Sequence, residues 1–147
     1  MALEKYRAKR KFNITPEPKG VVKKRSLSRF VVQKHRASHL HYDFRLEAEG
    51  VLKSWAVPKG VPEQVGVKRL AVAVEDHPVE YINFSGQISE GEYGAGTVEI
   101  YDKGKWQALE GNLKKGSMKF SLAGKKLKGE YILVRLKDKK NWLIYKK

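Results

Sequence analysis

From Arg29 to the C-terminus the chain runs in short stretches where apolar and polar residues tend to alternate. "RFVVQKH", "LHYDFRLE", "VLKSWAV", "RLAVAVE", "TVEIYD", "WQALEG", "MKFSLAG", "EYILVRL" and "NWLIYK" follow one another with Gly, Pro, Asn and Asp between them. A period of two sends successive side chains to opposite faces, the mark of a half-buried strand. Strands this short and this closely spaced predict a mainly β fold, an antiparallel barrel or sandwich, with a small antiparallel β-barrel expected. "DKGK", "AGKKLKG" and "KDKKN" read as hairpin ends. Ahead of the strands, Ala2 to Phe12 reads as a short helix with a thin apolar stripe of Leu3, Tyr6 and Phe12. Pro16 and Pro18 stop it and enforce an extended path. Thr15–Ser28 is a connector too short to separate two domains. The expectation is one domain over residues 1–147, with helix and connector in 1–28 and the barrel in 29–147.

The alternation carries chemistry in "QKHRASHLHYDFRLE". With Leu40 to Glu47 as a strand, Leu40, Tyr42, Phe44 and Leu46 share an apolar face. His39, His41, Asp43, Arg45 and Glu47 share the other. His41 and Asp43 can lean toward one ion, and His35 can return from the preceding turn as a third ligand. Two imidazoles and a carboxylate suit a hydrolytic divalent-metal site, with Mn²⁺, Zn²⁺, Co²⁺ and Fe²⁺ all chemically compatible. Arg45, next on that face, can offer its planar fork to a phosphate. His39 is in phase but reads as exposed or supporting.

A second constellation, "RLAVAVEDHPVEY", sets Leu70, Val72 and Val74 against Arg69, Ala71, Ala73, Glu75 and His77. The small Ala71 and Ala73 leave room for something bulky, and Pro78 puts His77 at a strand end. Arg69 can be a second phosphate clamp and Tyr81 a hydrogen-bond donor. The same residues also read as rim charges and a turn-capping histidine, and this segment alone leaves the two open. "ISEGEYGAGTVEIYD" has glycines before a strand but no helix after them, so it reads as a tight turn or bulge rather than a phosphate loop. Trp55, Trp106 and Trp142 lie within apolar strands and read as core rather than as base-stacking platforms.

Composition narrows the partners. The 147 residues carry 31 Lys+Arg against 16 Asp+Glu, a formal net charge of +15, which points to a polyanion, most simply nucleic acid. Lys23, Lys24 and Arg25 in the connector, with Lys59 nearer the groove, are the expected backbone contacts. No cysteine is present, which excludes disulfides, thiolate metal sites and Cys nucleophiles. No apolar run approaches a membrane span, and "MALEKYRAKRKF" lacks the apolar stretch of a secretory signal. A cytoplasmic location and no membrane partner are expected.

At these residues the chain resembles the 3′-phosphoesterase domain of bacterial DNA ligase D. The resemblance rests on "FVVQKHRASHLHYDFRLE", "SWAVPKGVP", "VEDHPVEY", "EGEYGAGTVEIYDKGKW", the closing "GEYILVRL" and "NWLIYKK", and "KRKFNITPEP" near the start. It covers nearly the whole chain, and with no ligase or polymerase region the chain looks like a stand-alone member. The resemblance implies an end-healing nuclease of DNA repair, acting beside non-homologous end joining. Such an enzyme removes a 3′-terminal ribonucleoside and then the 3′-phosphate, leaving a 3′-OH. It implies a small β-barrel with a manganese-holding groove, DNA 3′ ends and RNA-tipped primer strands as substrates, a DNA ligase as partner, and a monomer. By position it implies His35, His41 and Asp43 as metal ligands, with Arg45, His77 and Tyr81 as phosphate-contacting and catalytic residues. Lys59, Arg69 and Glu75 match accessory positions, and Glu17 an acidic one. Lys11 stands where the resemblance leads one to expect Asp, which bears on the balance between the two steps.

Two other readings compete. A non-catalytic nucleic-acid-binding β-barrel would bind without metal dependence. A cupin-like oxidase is suggested by the His-x-His of "HLHYDFRLE", but Glu47 lies too far along for that spacing and the basic charge suits no small organic substrate.

Overall fold

A computed structural model of the chain describes residues 3–12, 15–18, 20, 28–89 and 91–147. Nine antiparallel strands run β1 (Arg29–Arg36), β2 (Leu40–Ala48), β3 (Val51–Val57), β4 (Lys68–His77), β5 (Gly86–Ile88), β6 (Gly96–Asn112), β7 (Ser117–Ala123), β8 (Lys128–Arg135) and β9 (Asn141–Lys146). Hydrogen bonding follows the order β1-β2-β3-β4-β9-β8-β7-β6, and β6 returns to pair with β1. The result is a closed eight-stranded barrel, with β5 added to the outside of β6. The connector triplet Lys23, Lys24 and Arg25 lies outside the described residues.

The lumen is filled by alternate residues of every barrel strand, among them Phe30, Val32, Phe44, Leu46, Trp55, Met118, Phe120, Tyr131, Leu133, Trp142 and Ile144. Phe44 is at its centre, its ring 6.0 Å from Trp55, 6.1 Å from Phe120 and 6.5 Å from Phe30. Phe44→Ala is expected to cost about 3–5 kcal/mol, because a fully buried ring leaves a cavity the barrel wall cannot collapse into. Chemical denaturation measures this. A midpoint equal to wild type, together with lost metal affinity, would mean that Phe44 faces the site.

A second apolar layer covers one outer side of the wall. Tyr6, Val79, Tyr81, Ile82 and Phe84 pack onto Val31, Leu52, Ile88 and Val98. The first comes from helix α1 (Glu4–Ala8) and the next three from a 3₁₀ turn, Val79–Asn83. This layer buries the outward face of β1 and β2, so the polar residues there sit in a covered pocket.

Several expectations need correction. The N-terminal helix is only Glu4–Ala8, not a helix reaching Phe12. Leu40 is 46% exposed, since its end of β2 projects beyond the barrel. In β4 the phase is reversed: Ala71 and Ala73 face the lumen, directly beside Trp142 and Trp55 in register, while Leu70 is exposed. The room beside the small residues is thus filled by two indoles, whose rings lie 5.6 Å apart. "TVEIYD" and "WQALEG" are one strand, β6, rather than two joined at "DKGK". Its Asp102 carboxylate does not cap that stretch. It accepts backbone N–H groups of Lys125, Lys126 and Leu127 at 2.9, 3.1 and 2.9 Å, and so ties the β7–β8 loop to the wall. Gly104 lets β6 pass the β7–β8 loop, since a Cβ there would meet the Ala123 carbonyl at 2.2 Å. Trp55 and Trp142 are core, and Trp106 packs against that core while donating to the Glu47 carbonyl.

Candidate metal centre and phosphate pocket

β1 and β2 pair so that His35 lies opposite His41 and Gln33 opposite Asp43. His35 therefore comes from a strand, not from the preceding turn. His35, His41 and Asp43, with Arg45, line a cavity of about 280 Å³ on the outer face of the wall, and Gln33 is buried behind Arg45. Arg10 and Glu17 from the N-terminal segment close it on one side, as do Glu75, His77 and Tyr81. Tyr93, whose ring centroid lies 5.4 Å from the Arg10 guanidinium, and Gly94 complete the lining. A larger hollow of about 490 Å³, lined by Trp55, Trp142 and the Lys53–Asp76 ion pair, contains none of the candidate site residues.

One ligand atom from each of His35, His41 and Asp43 lies within 4.8 Å of the others, so the group can hold a metal ion. Backbone carbonyls, which only accept, fix both imidazoles. Nε2–H of His35 donates to Gly94 O at 2.7 Å, leaving the Nδ1 lone pair 3.5 Å from Asp43 Oδ2. Nδ1–H of His41 donates to His39 O at 3.3 Å, leaving Nε2 3.2 Å from Asp43 Oδ1. This outer support through backbone carbonyls is what orients imidazole ligands toward a metal. Gly94 has φ +76°, the turn geometry that brings its carbonyl down onto His35. The glycine-rich stretch is thus a tight turn, as its sequence suggests, and it holds the His35 ring in place. Burial opposes the charge on Asp43. Arg45 and the adjacent His35 and His41 imidazoles outweigh it and hold the carboxyl well below its usual range. The hydrogen bond to Asp43 raises the His41 pKa against its own burial.

Arg45 is 3% exposed and held on three sides. Its Nε donates to Gln33 Oε1 at 2.8 Å, Nη2 lies 3.5 Å from Asp43 Oδ2, and the guanidinium sits 4.9 Å from the Tyr81 ring centroid. Gln33 is itself fixed by donating to the carbonyls of Tyr81 and Phe84. Arg45 Nη1 has no partner among the described residues. A buried, unpaired guanidinium N–H in a pocket beside a possible metal site is chemically suited to an anionic oxygen.

A bulge between β3 and β4 brings Val74, Glu75 and His77 to the same pocket. His77 Nδ1–H donates to Glu75 O at 3.0 Å, so its Nε2 accepts from Arg10 Nη2 at 3.3 Å. Burial, then Arg45 and Arg10, push the imidazole pKa well below its ordinary value, so it is neutral. Glu17 is buried and accepts from Arg10 Nε at 2.8 Å, from the Tyr81 hydroxyl at 2.7 Å and from Thr15 at 2.8 Å. Glu75 pairs with Lys9 at 2.8 Å and lies 3.7 Å from Arg10.

The fold therefore gathers His35, His41, Asp43, Arg45, Glu75, His77, Tyr81 and Glu17 into one pocket. Lys59 and Arg69 stay outside it, at the barrel mouth, where Arg69 donates to the carbonyls of Lys59 and Gly60. Lys11 is exposed and does not line the pocket. His39 is exposed and contributes its backbone carbonyl. Arg10 and Gln33 were not singled out by the sequence. Arg10 is one cation among many in "KYRAKRKF". Gln33 is uncharged, but it shares the two-residue phase of His35, which was the available signal.

A family model described as the DNA ligase D 3′-phosphoesterase domain matches residues 33–135. The chain is 50% identical to the multifunctional non-homologous end joining protein LigD of Pseudomonas aeruginosa, over 98% of this chain and 18% of that protein. It is 43% identical to the protein of that name from Mycolicibacterium smegmatis, over 98% and 20%. It is 42% identical to the multifunctional non-homologous end joining DNA repair protein LigD of Mycobacterium tuberculosis, over 98% and 19%. The chain spans about a fifth of the length of these relatives.

Proposed function

Since the chain belongs to the DNA ligase D 3′-phosphoesterase domain family, we propose that it is a divalent-metal-dependent hydrolase of nucleic-acid 3′ ends. It removes 3′-terminal ribonucleosides and 3′-phosphates from DNA or primer strands and leaves a 3′-OH. The observation that carries this is the juxtaposition of His35, His41 and Asp43 with the unpaired Nη1 of buried Arg45. The donor set of two nitrogens and a carboxylate oxygen fits Mn²⁺, and equally Co²⁺ or Zn²⁺. Bound there, the metal would neutralise phosphate charge and lower the pKa of a coordinated water.

The chain's own groups do the rest. Arg45 takes a non-bridging phosphate oxygen through Nη1, held in aim by Gln33 and Tyr81. Arg10, stacked 4.0 Å over the Tyr6 ring and clamped by Glu17, adds a second cation at the closed end. His77 is neutral with its lone pair accepting from Arg10, so it orients Arg10 rather than supplying a proton. The Tyr81 hydroxyl donates a hydrogen bond to Glu17, and the two brace the wall beneath Arg45. Lys59 and Arg69 act from the mouth, beyond the reacting phosphate. The end-joining role in the relatives' names comes to this chain as part of the proposal. So do a DNA ligase as partner, a monomeric state and a place in the bacterial cytoplasm. No helix among the described residues is long and apolar enough to cross a membrane.

The test is incubation with Mn²⁺ and a DNA strand ending in a single 3′-ribonucleotide. The expected products are first a 3′-phosphate and then a 3′-OH strand, and both should vanish on chelation and return with Mn²⁺. Binding without cleavage under these conditions would leave the non-catalytic nucleic-acid-binding barrel.

A further inference from the structure

At the barrel end nearest the histidines, the last lumen-facing layer is cationic and aromatic rather than apolar. Lys34 lies opposite Tyr42 in register, each continuing the inward face of Val32 and Phe44. The Tyr42 ring meets Tyr101 at 5.4 Å. Lys126, on the loop tied down by Asp102, sits 3.9 Å over the Tyr101 ring centroid, and Lys34 lies 6.0 Å from that of Tyr42. Arg69 pins the turn that carries the exposed Lys59. None of these four cations pairs with a carboxylate among the described residues. Glu63, which also lines this mouth, is engaged by the Tyr101 hydroxyl at 2.6 Å. Aromatic faces hold ammonium groups in place without neutralising them, so the charge stays available to a polyanion.

The phosphate pocket opens toward the same end. His41 is 26% exposed, whereas Arg45 and His77 at the far side are each 3% exposed. His41 and Tyr42 are consecutive in β2 and point to opposite faces of one wall. A chain leaving the pocket at His41 thus needs only to cross the β1–β2 hairpin to reach the mouth.

We propose that this mouth is a strand-binding track. A polynucleotide whose 3′ end enters at His41 passes over the hairpin and lays its preceding phosphodiesters against Lys34, Lys59 and Lys126. The track rests on the phosphoesterase reading for which end sits in the pocket.

Binding tests it without requiring turnover. Fluorescence anisotropy, with no metal added, measures Kd across a salt series. The probe is a single-stranded DNA of about twelve nucleotides with a 3′-phosphate, within the footprint of small barrel domains. For a Lys34→Glu, Lys126→Glu double variant, Kd should rise at least about tenfold, and the slope of log K against log salt should shrink by about 1.4, two contacts at about 0.7 each. The loss should fall away as the strand is shortened from its 5′ side toward one 3′-terminal nucleotide. An unchanged Kd and slope, or a loss independent of strand length, overturns the track. If the double variant does not fold by circular dichroism, Lys126→Glu alone, on the exposed loop, carries the test with half the slope change. Failure of the phosphoesterase reading shows separately, as wild-type protein that binds the strand yet leaves its 3′ end intact with Mn²⁺.

Discussion

His41→Ala is expected to lower kcat/KM by at least about 1,000-fold, since it would remove one of the three proposed ligands from a centre whose charge would carry phosphoryl chemistry. Its fold survives, because His41 is partly exposed at the pocket rim and its loss opens no cavity in either apolar layer. The informative measurements are Mn²⁺ affinity by calorimetry, turnover, and the melting temperature of the metal-free protein. His39→Ala is the internal control: only its backbone carbonyl reaches His41, and an alanine keeps that carbonyl. Near-normal turnover by His41→Ala, or by metal-stripped wild type, would remove the triad from the mechanism.

Arg45→Lys is nearly as damaging as Arg45→Ala, each reducing kcat/KM by about 100-fold or more. A guanidinium reaches Gln33 through Nε, Asp43 through Nη2 and the pocket through Nη1 at once. A lysine keeps the charge and loses the rigid fork, and its ammonium settles on Gln33 or Asp43 instead of the phosphate. A lysine variant with most of the wild-type kcat/KM would reduce Arg45 to a source of positive potential.

The site was legible where one local period ran unbroken. In β2 the stretch from His41 to Leu46 alternates without interruption, and its pocket face and core face follow directly, whereas Leu40 lies beyond the barrel end and is exposed. In β4 the alternation misled. Lumen positions opposite large indoles must be small, so Ala71 and Ala73 looked like the polar side while Leu70 looked buried. The bulge beside Lys53 then turned Glu75 and His77 outward, a change of phase that no residue of β4 announces. In β6, Asp102 and Gly104 carry turn chemistry that is spent elsewhere, on the β7–β8 loop and on the close approach of Ala123. Arg10 depends on a contact with His77 and Glu17 that only the folded N-terminal segment creates.

The seam that closes the barrel has a kinetic consequence. It joins Arg36 to Thr97 and Arg29 to Lys105, so most of the chain must be synthesised and placed before β1 finds β6. Topologies dominated by such distant pairings fold on the millisecond-to-second scale rather than in microseconds. Until the seam forms, β1 and β6 are both free edges carrying rows of unpaired amides and apolar residues such as Phe30, Val31 and Val32. Free edges of that kind recruit strands from neighbouring molecules. Recovery on refolding should therefore fall steeply with protein concentration, and substitutions that loosen the seam should lower soluble yield before they lower the activity of what does fold.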